Sequence, residues 1–200
     1  WSNNYSVNDP NELRLGYSQY AIPHRIMGNI SYKVQNTTFS VFYNGANQAR
    51  FSYVYSNDIN RDGVSLDLLY IPNDMNQMNF SDITNSSGDV LFTAAAQRSA
   101  FETFVKDNGL EKYKGTYVDR NNGLMPWLHR FDFRFMQDID LNKKNGQKLQ
   151  LSLDIMNVGN LLNKEWGVLK QLNAGNDYSY GLLKVDNINA SGVPTFQMNT

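Results

Sequence analysis

The 200-residue sequence has no cysteine and only two histidines, His24 and His129. Without cysteine it forms neither disulfide bonds nor thiolate metal sites, and a metal centre would need ligands beyond the two histidines. The formal net charge is −1, and lysine and arginine are scattered, so the basic surface required for nucleic acid is missing. No apolar run approaches the roughly 20 residues of a transmembrane helix, which excludes helical membrane proteins.

Signatures of enzymes are also missing. No glycine-rich phosphate loop follows a predicted strand, and there is no nucleophile elbow and no Cys-His arrangement. Asp132 and Asp154 have the residue type of a glycosidase pair, but arginines on neighbouring strand positions would hold both carboxylates ionised. We therefore predict that the chain is not an enzyme.

The clearest pattern present is a strict alternation from Trp127 to Ile139, followed by a polar turn and a second alternating segment. The first segment places five aromatic side chains on one face: Trp127, His129, Phe131, Phe133 and Phe135. Its other face carries charges, and the return segment puts Leu149, Leu151, Leu153 and Ile155 opposite Gln150, Ser152 and Asp154. Soluble two-layer sheets also alternate, but such sharply divided faces are typical of a membrane barrel with lipid outside and a wet lumen inside.

Similar patterns predict four strands over about 20–34, 38–55, 126–140 and 147–156. Their connections alternate between short turns and long segments at 56–125 and 157–200, as periplasmic turns and extracellular loops do in outer-membrane barrels. The first long loop contains a predicted helix from about Thr93 to Asn108, with Thr93 as cap and Gly109 as stop. Four tilted strands leave two open edges, so we expect further strands outside this sequence.

Several stretches resemble, in family order, the C-terminal barrel of TonB-dependent outer-membrane receptors, especially transporters of the carboxypeptidase-regulatory-like and starch-utilisation types. The stretches that carry the resemblance are Ile22-Pro23-His24-Arg25-Ile26, Ser52-Tyr53-Val54-Tyr55 with Asp58-Ile59-Asn60-Arg61-Asp62-Gly63, Asp67-Leu68-Leu69-Tyr70-Ile71-Pro72, Phe101-Glu102-Thr103-Phe104-Val105, Pro126-Trp127-Leu128-His129-Arg130-Phe131-Asp132 and Leu151-Ser152-Leu153-Asp154-Ile155-Met156-Asn157.

The resemblance implies an all-β fold, with antiparallel strands that form part of a 22-stranded transmembrane β-barrel. We expect the plug domain and the closing strand of such a receptor to lie outside residues 1–200. It also implies that the chain lies in the outer membrane of a Gram-negative bacterium and contacts the lipid there. The implied partners are the TonB complex, reached through a missing N-terminal region, and a surface lipoprotein. The implied function is import of a bulky solute, a glycan or a peptide.

Two groups of residues are candidate sites. Six charged residues are predicted to line the lumen, where they contact solute or plug or simply pair with one another: Arg25, Arg50, Arg130, Asp132, Arg134 and Asp154. Four further residues have the spacing of the first half of a calcium loop: Asp58, Asn60, Asp62 and Asp67. Leu69 stands where an EF-hand has its glutamate, so a loop of side-chain to backbone bonds remains the alternative.

The sequence is compatible with two other functions. The aromatic rows could be the core of a secreted, soluble β-sandwich that binds carbohydrate. The receptor-like scaffold could also serve an assembly role in an outer-membrane complex rather than transport.

Overall fold

The computed structural model describes residues 5, 7, 15–63, 65–142, 144–170, 172 and 178–199. Parts of both predicted long loops, including Val64 and 173–177, lie outside the described residues, as does Lys143 of the second short turn. The chain divides into two compact units. We call 21–49 with 124–171 the sheet unit, and the described residues of 1–20, 50–123 and 172–200 the core unit.

Most of the described regular structure is strand, which confirms the prediction of a mostly β chain with antiparallel pairing. Within the described residues there are thirteen strands: β1 (Arg25–Val34), β2 (Thr37–Asn47), β3 (Arg50–Tyr55), β4 (Tyr70–Ile71), β5 (Asn79–Phe80), β6 (Ile83–Thr84), β7 (Val90–Phe92), β8 (Thr116–Tyr117), β9 (Gly123–Leu124), β10 (Trp127–Asn142), β11 (Gln147–Ile155), β12 (Ser179–Ile188) and β13 (Pro194–Met198). One α-helix, α1 (Ala94–Asp107), and three short 3₁₀ turns, Met75–Gln77, Leu110–Tyr113 and Val158–Leu161, complete the described elements.

The sheet unit is built on a four-stranded antiparallel sheet in the order β1-β2-β10-β11. β2 and β10 stay in register over eleven pairs, from Trp127 opposite Asn47 to Gln137 opposite Thr37. Among the described residues, β1 and β11 each pair on one side only, so both are edge strands.

Both short turns lie at the same end of this sheet. Residues 35–36 connect β1 to β2, residues 143–146 connect β10 to β11, and the amide of Asp138 donates to the carbonyl of Asn36 at 2.8 Å. The two long connections therefore start from the opposite end. That these two ends correspond to periplasmic turns and extracellular loops stays a prediction.

The core unit contains a mixed five-stranded sheet in the order β5-β13-β12-β3-β9 and the helix α1. β12 runs parallel to β3 and antiparallel to β13. The helix forms where predicted, because the Thr93 hydroxyl caps the amide of Ala96 at 3.2 Å. Its inner face, with Phe101 and Val105 almost fully buried, is part of the core. No helix among the residues described is both long and apolar enough to cross a bilayer.

The strand expected over 38–55 is two strands in two different sheets. β2 ends at Asn47, and β3 restarts at Arg50 with five buried residues in succession instead of alternate ones. Between them, Gln48 turns its side chain to the backbone, donating to the carbonyl of Pro126 at 3.0 Å and accepting from the amide of Lys170 at 2.8 Å. The region 157–200, predicted as a loop, likewise contains β12 and β13, whose Leu182, Leu183 and Phe196 are buried.

Candidate functional site

Five of the six residues predicted to line a lumen share one face of the four-stranded sheet. The registers align Arg130 with Asn44 and Arg134 with both Ser40 and Asp154, and they place Arg25 and Asp132 on the same face. Thr38, Asn29, Ser31, Ser152, Gln150 and Lys148 also lie on this face, which is therefore polar over most of its area. The sixth residue, Arg50, belongs to the core unit.

Four of these charges are arranged as two ion pairs. Arg134 binds Asp154 across the strands with two hydrogen bonds of 2.6 and 3.2 Å. Arg130 binds Asp132 with bonds of 3.1 and 2.9 Å, and the other oxygen of Asp132 accepts from the amide of Asn157 at 2.7 Å. Exposed pairs of this kind contribute little to stability, because solvent screens the attraction. The two ion pairs keep this face of the sheet polar, while the charges within each pair cancel.

The opposite face of the sheet is apolar and exposed. Aromatic rings form a ladder between β2 and β10, with centroid distances of 5.5 Å for Phe39 and Phe135 and 4.9 Å for Tyr43 and Phe131. On the edge strands, Ile30 is 79 % exposed and Leu153 is 55 % exposed. Further exposed apolar side chains on this face are those of Ile26, Tyr32, Val34, Phe39, Val41, Leu149 and Leu151. Isolated apolar residues on a surface are ordinary, but a continuous exposed face of this extent indicates an interaction with lipid or protein.

The two histidines lie near the same end of this apolar face and contact aromatic rings. His24 stacks on Trp127 with centroids 6.5 Å apart, and Nδ1 of His129 lies 2.8 Å from the hydroxyl of Tyr43. The described part of the chain holds no group of three or more His, Cys, Asp or Glu side chains arranged to hold a metal ion.

The loop after β3 uses its carboxylates to bind its own backbone. Asp58 accepts from the amides of Arg61 at 2.6 Å and Gly63 at 2.8 Å, and Asn60 accepts from the amide of Asp62 at 3.0 Å. Both Arg61 and Gly63 have positive φ, as the tight turn requires. The loop is therefore closed by side-chain to backbone bonds; calcium binding to it stays a prediction.

Asp67 closes the loop from within the core unit. Its side chain is almost fully buried and accepts from the amide of Ile59 at 3.0 Å, while its carbonyl accepts from the amide of Tyr55 at 2.9 Å. Burial is the largest cause of a raised pKa of the Asp67 carboxyl, and the nearby carboxylates of Asp62 and Asp58 raise this pKa further. The hydrogen bonds from the backbone amides of Ile59 and Asn60 lower it in part.

Sequence reasoning did not find a cleft in the core unit, of about 480 Å³, that is lined by Tyr5, Tyr17, Tyr20, Arg120 and Asn121 among others. Segment 16–20 reaches residues 120–121 from about a hundred positions away in sequence. Because periodicity describes only neighbouring residues, no local signal joins these two segments.

Comparison with models of protein families, with curated proteins and with solved structures finds no match to the chain.

Proposed function

We propose that this chain is part of a TonB-dependent outer-membrane transporter that imports a bulky solute, a glycan or a peptide. In this proposal β1, β2, β10 and β11 are neighbouring strands of a 22-stranded barrel. The observation that carries the proposal is the division of their sheet into an exposed apolar face and a polar face whose charges are paired. Lipid would contact the first face, and the water-filled lumen would contact the second.

The dimensions of the sheet support this assignment. The paired length of β2 and β10 covers ten residue steps, or about 33 Å at roughly 3.3 Å per residue. A strand tilted by about 40° would then span about 25 Å, which is the height of the apolar band of an outer-membrane barrel.

The open edges support it as well. β1 and β11 present unpaired backbone groups within the described part of the chain, and hydrocarbon would not tolerate them. Further barrel strands on both sides would satisfy these groups.

The soluble β-sandwich is the less favoured function because it needs the apolar face as its core. A second sheet packed on that face would bury Ile30 and Leu153, which are 79 % and 55 % exposed. A scaffold in an outer-membrane assembly complex would have the same barrel fold as the transporter but would not import a solute. Co-purification with other outer-membrane proteins, without solute uptake, would favour the scaffold.

The transporter role assigns no chemistry to the chain. Energy would come from the TonB complex through a region outside these residues, and selectivity would come from the plug and the extracellular segments. A surface lipoprotein is a further proposed partner.

The first test is the behaviour of the purified chain without detergent, followed by size-exclusion chromatography and circular dichroism. We expect aggregation that a mild detergent relieves, with a β spectrum after transfer. A monomer that stays soluble without detergent and unfolds cooperatively would contradict the proposal and favour the sandwich.

A further inference from the structure

The cleft beside segment 16–20 has the size and composition of a ligand site. Its volume of about 480 Å³ lies within the range of about 300–1,000 Å³ typical of small-molecule pockets. Three tyrosines, Tyr5, Tyr17 and Tyr20, contribute to its lining, with Arg120 and Asn121 on the other segment. The cleft lies entirely within the core unit.

Asn121 holds the two segments of the cleft together. It is buried and has a positive φ of 56°, a backbone conformation that asparagine tolerates better than most residues. Its side chain donates to the carbonyl of Tyr17 at 2.7 Å, and its amide donates to the hydroxyl of Ser52 at 2.9 Å. The amide of Tyr17 donates in turn to the carbonyl of Arg120 at 3.3 Å. Two hydrogen bonds therefore join segment 16–20 to residues 120–121 in the absence of a ligand, and such preorganisation lowers the entropic cost of binding.

Two guanidinium groups near the cleft have no carboxylate partner among the residues that the structure describes. Arg50 lies with its guanidinium carbon 4.0 Å from the ring centre of Tyr17 and donates to the carbonyl of Asn121 at 3.2 Å. Arg120 is half-buried, and its Nε is buried and lacks a hydrogen-bond partner within the described ranges. By contrast, Arg130 and Arg134 each bind an aspartate. These two cations without a carboxylate partner favour an anionic ligand at the cleft.

The tyrosines offer surface for a second kind of contact. Tyr17 is 50 % exposed although Arg50 lies against its ring, and Tyr20 is 76 % exposed. Exposed aromatic rings stack on the C–H faces of sugar rings, and the hydroxyl of Ser18 and the amide of Gln19, which also line the cleft, can exchange hydrogen bonds with sugar hydroxyls. A guanidinium presents paired donors that match the two oxygens of a carboxylate.

From this combination we infer that the cleft binds an acidic saccharide, with the carboxylate of a uronic acid unit on Arg120 and a sugar ring against Tyr17. This inference names the class of solute for the proposed transporter. The role of the cleft in uptake rests on the proposed function, but binding of the saccharide can be measured without transport. It selects an anionic glycan from the broader class of glycans and peptides.

Titration calorimetry on the detergent-solubilised chain tests this directly. The probes are an α-1,4-linked trimer of galacturonic acid, the neutral α-1,4-linked trimer of glucose, and a trimer of glutamate. We expect the galacturonate trimer to bind at least tenfold more tightly than either of the others and to weaken as NaCl is raised from 50 to 300 mM. Equal or tighter binding of the glucose or glutamate trimer, or no binding of galacturonate by the folded chain, would overturn the inference.

Variants identify the group responsible. Arg120→Gln should weaken galacturonate binding at least tenfold, Arg120→Lys should restore part of the loss because it keeps the charge, and Tyr17→Leu should weaken it without changing the salt dependence. Arg61→Gln removes one exposed arginine from the same unit and should leave binding within twofold. An equal effect of Arg61→Gln and Arg120→Gln would refute a specific site.

Failure of the site and failure of the proposed function are distinguishable. A chain that inserts into lipid but does not bind galacturonate overturns only the site. A chain that binds galacturonate but stays soluble without detergent keeps the site and overturns the transporter.

Discussion

A lysine placed on the apolar face of β11 should destabilise the chain in a bilayer, whereas a lysine on the adjacent residue should not. Leu151 and Ser152 are neighbours near the middle of a nine-residue strand, and both are exposed. The register puts them on opposite faces, with Leu151 opposite Gln137 and Ser152 opposite Met136. The pair Leu151→Lys and Ser152→Lys therefore changes only the side of the sheet on which the charge stands.

The expected magnitude differs between lipid and water. On the lipid face of a barrel a lysine costs roughly 2–4 kcal/mol at the bilayer midplane and roughly 0–1 kcal/mol near the interfaces, while a lysine facing the lumen costs little. Leu151 lies between these depths, because it is opposite Gln137 at the turn end of the pairing between β2 and β10. Leu151 is 51 % exposed, so in water its replacement by lysine would remove few packed contacts and change stability by roughly 0.5 kcal/mol or less.

The assay is urea unfolding of the complete barrel that the proposal requires around this chain, reconstituted in lipid vesicles and followed by tryptophan fluorescence, with the original protein and both variants measured in parallel. We expect the unfolding free energy to fall by about 1–2 kcal/mol for Leu151→Lys and by less than about 0.5 kcal/mol for Ser152→Lys. Equal effects of the two variants, or a larger effect of Ser152→Lys, would refute the assignment of lipid to the apolar face.

Three other predictions concern the core unit. Phe101→Ala should lower the unfolding free energy by roughly 3–5 kcal/mol in a denaturant titration, because Phe101 is fully buried, with its ring 6.2 Å from that of Phe80. Thr93→Ala removes the cap of α1 and should cost about 1 kcal/mol, measured from the helical circular dichroism signal during thermal unfolding. Asp67 should make stability depend on pH: since its folded pKa is raised, the folded chain holds the proton more tightly than the unfolded chain. The unfolding free energy should therefore rise as pH falls from neutral toward the ordinary carboxyl value, and Asp67→Asn should remove this part of the rise.

Each of these predictions has a control. Phe92 is 49 % exposed, so Phe92→Ala should cost much less than Phe101→Ala, and equal costs would contradict the described core. Thr103 bonds back to the carbonyl of Ser99 inside the helix, so Thr103→Ala should be close to neutral where Thr93→Ala is not. For Asp67, identical pH profiles of the original chain and the asparagine variant would show that another group is responsible.

The sequence predicted best those parts of the chain where one physical rule acts along a single segment. The faces of β10 and β11 follow directly from strict alternation, because successive side chains of a strand point to opposite sides. The helix α1 was predicted from a cap at Thr93, an alanine-rich first turn and a glycine at 109, and all three act within a few residues of one another.

Predictions failed where distant segments decide the structure. Residues 51–55 continue the pattern of β2 in sequence, yet they form β3, which is buried on both faces beside β12. The partner of Ser52 in that pairing is Ser179, 127 positions away, so no local pattern reveals it. The prediction missed β12 and β13 for the same reason, since β12 lacks strict alternation, β13 is only five residues long, and they pair with the distant strands β3 and β5.

The sequence also predicted only part of the candidate sites. Alternation explains why five of the charged residues lie on one face of the sheet; that this face lines a lumen stays a prediction. Arg50 lies in the core unit instead, because the segment predicted as one long strand is two strands. The pairing of Arg134 with Asp154 required the register of the hairpin, which its turn sets. The cleft of Tyr17 and Arg120 could not be anticipated, because it exists only where two remote segments meet.

The central claim, that one face of the sheet contacts lipid, is tested most directly by spin labels along β11. The chain has no cysteine, so single cysteines can be introduced one at a time from Leu149 to Asp154 without removing any native thiol. In lipid vesicles, with the barrel completed by the further strands that the proposal requires, we predict that accessibility to dissolved oxygen alternates with a period of two, high at 149, 151 and 153 and low at 150, 152 and 154. Uniform accessibility along the strand, or alternation with the opposite phase, would contradict the account.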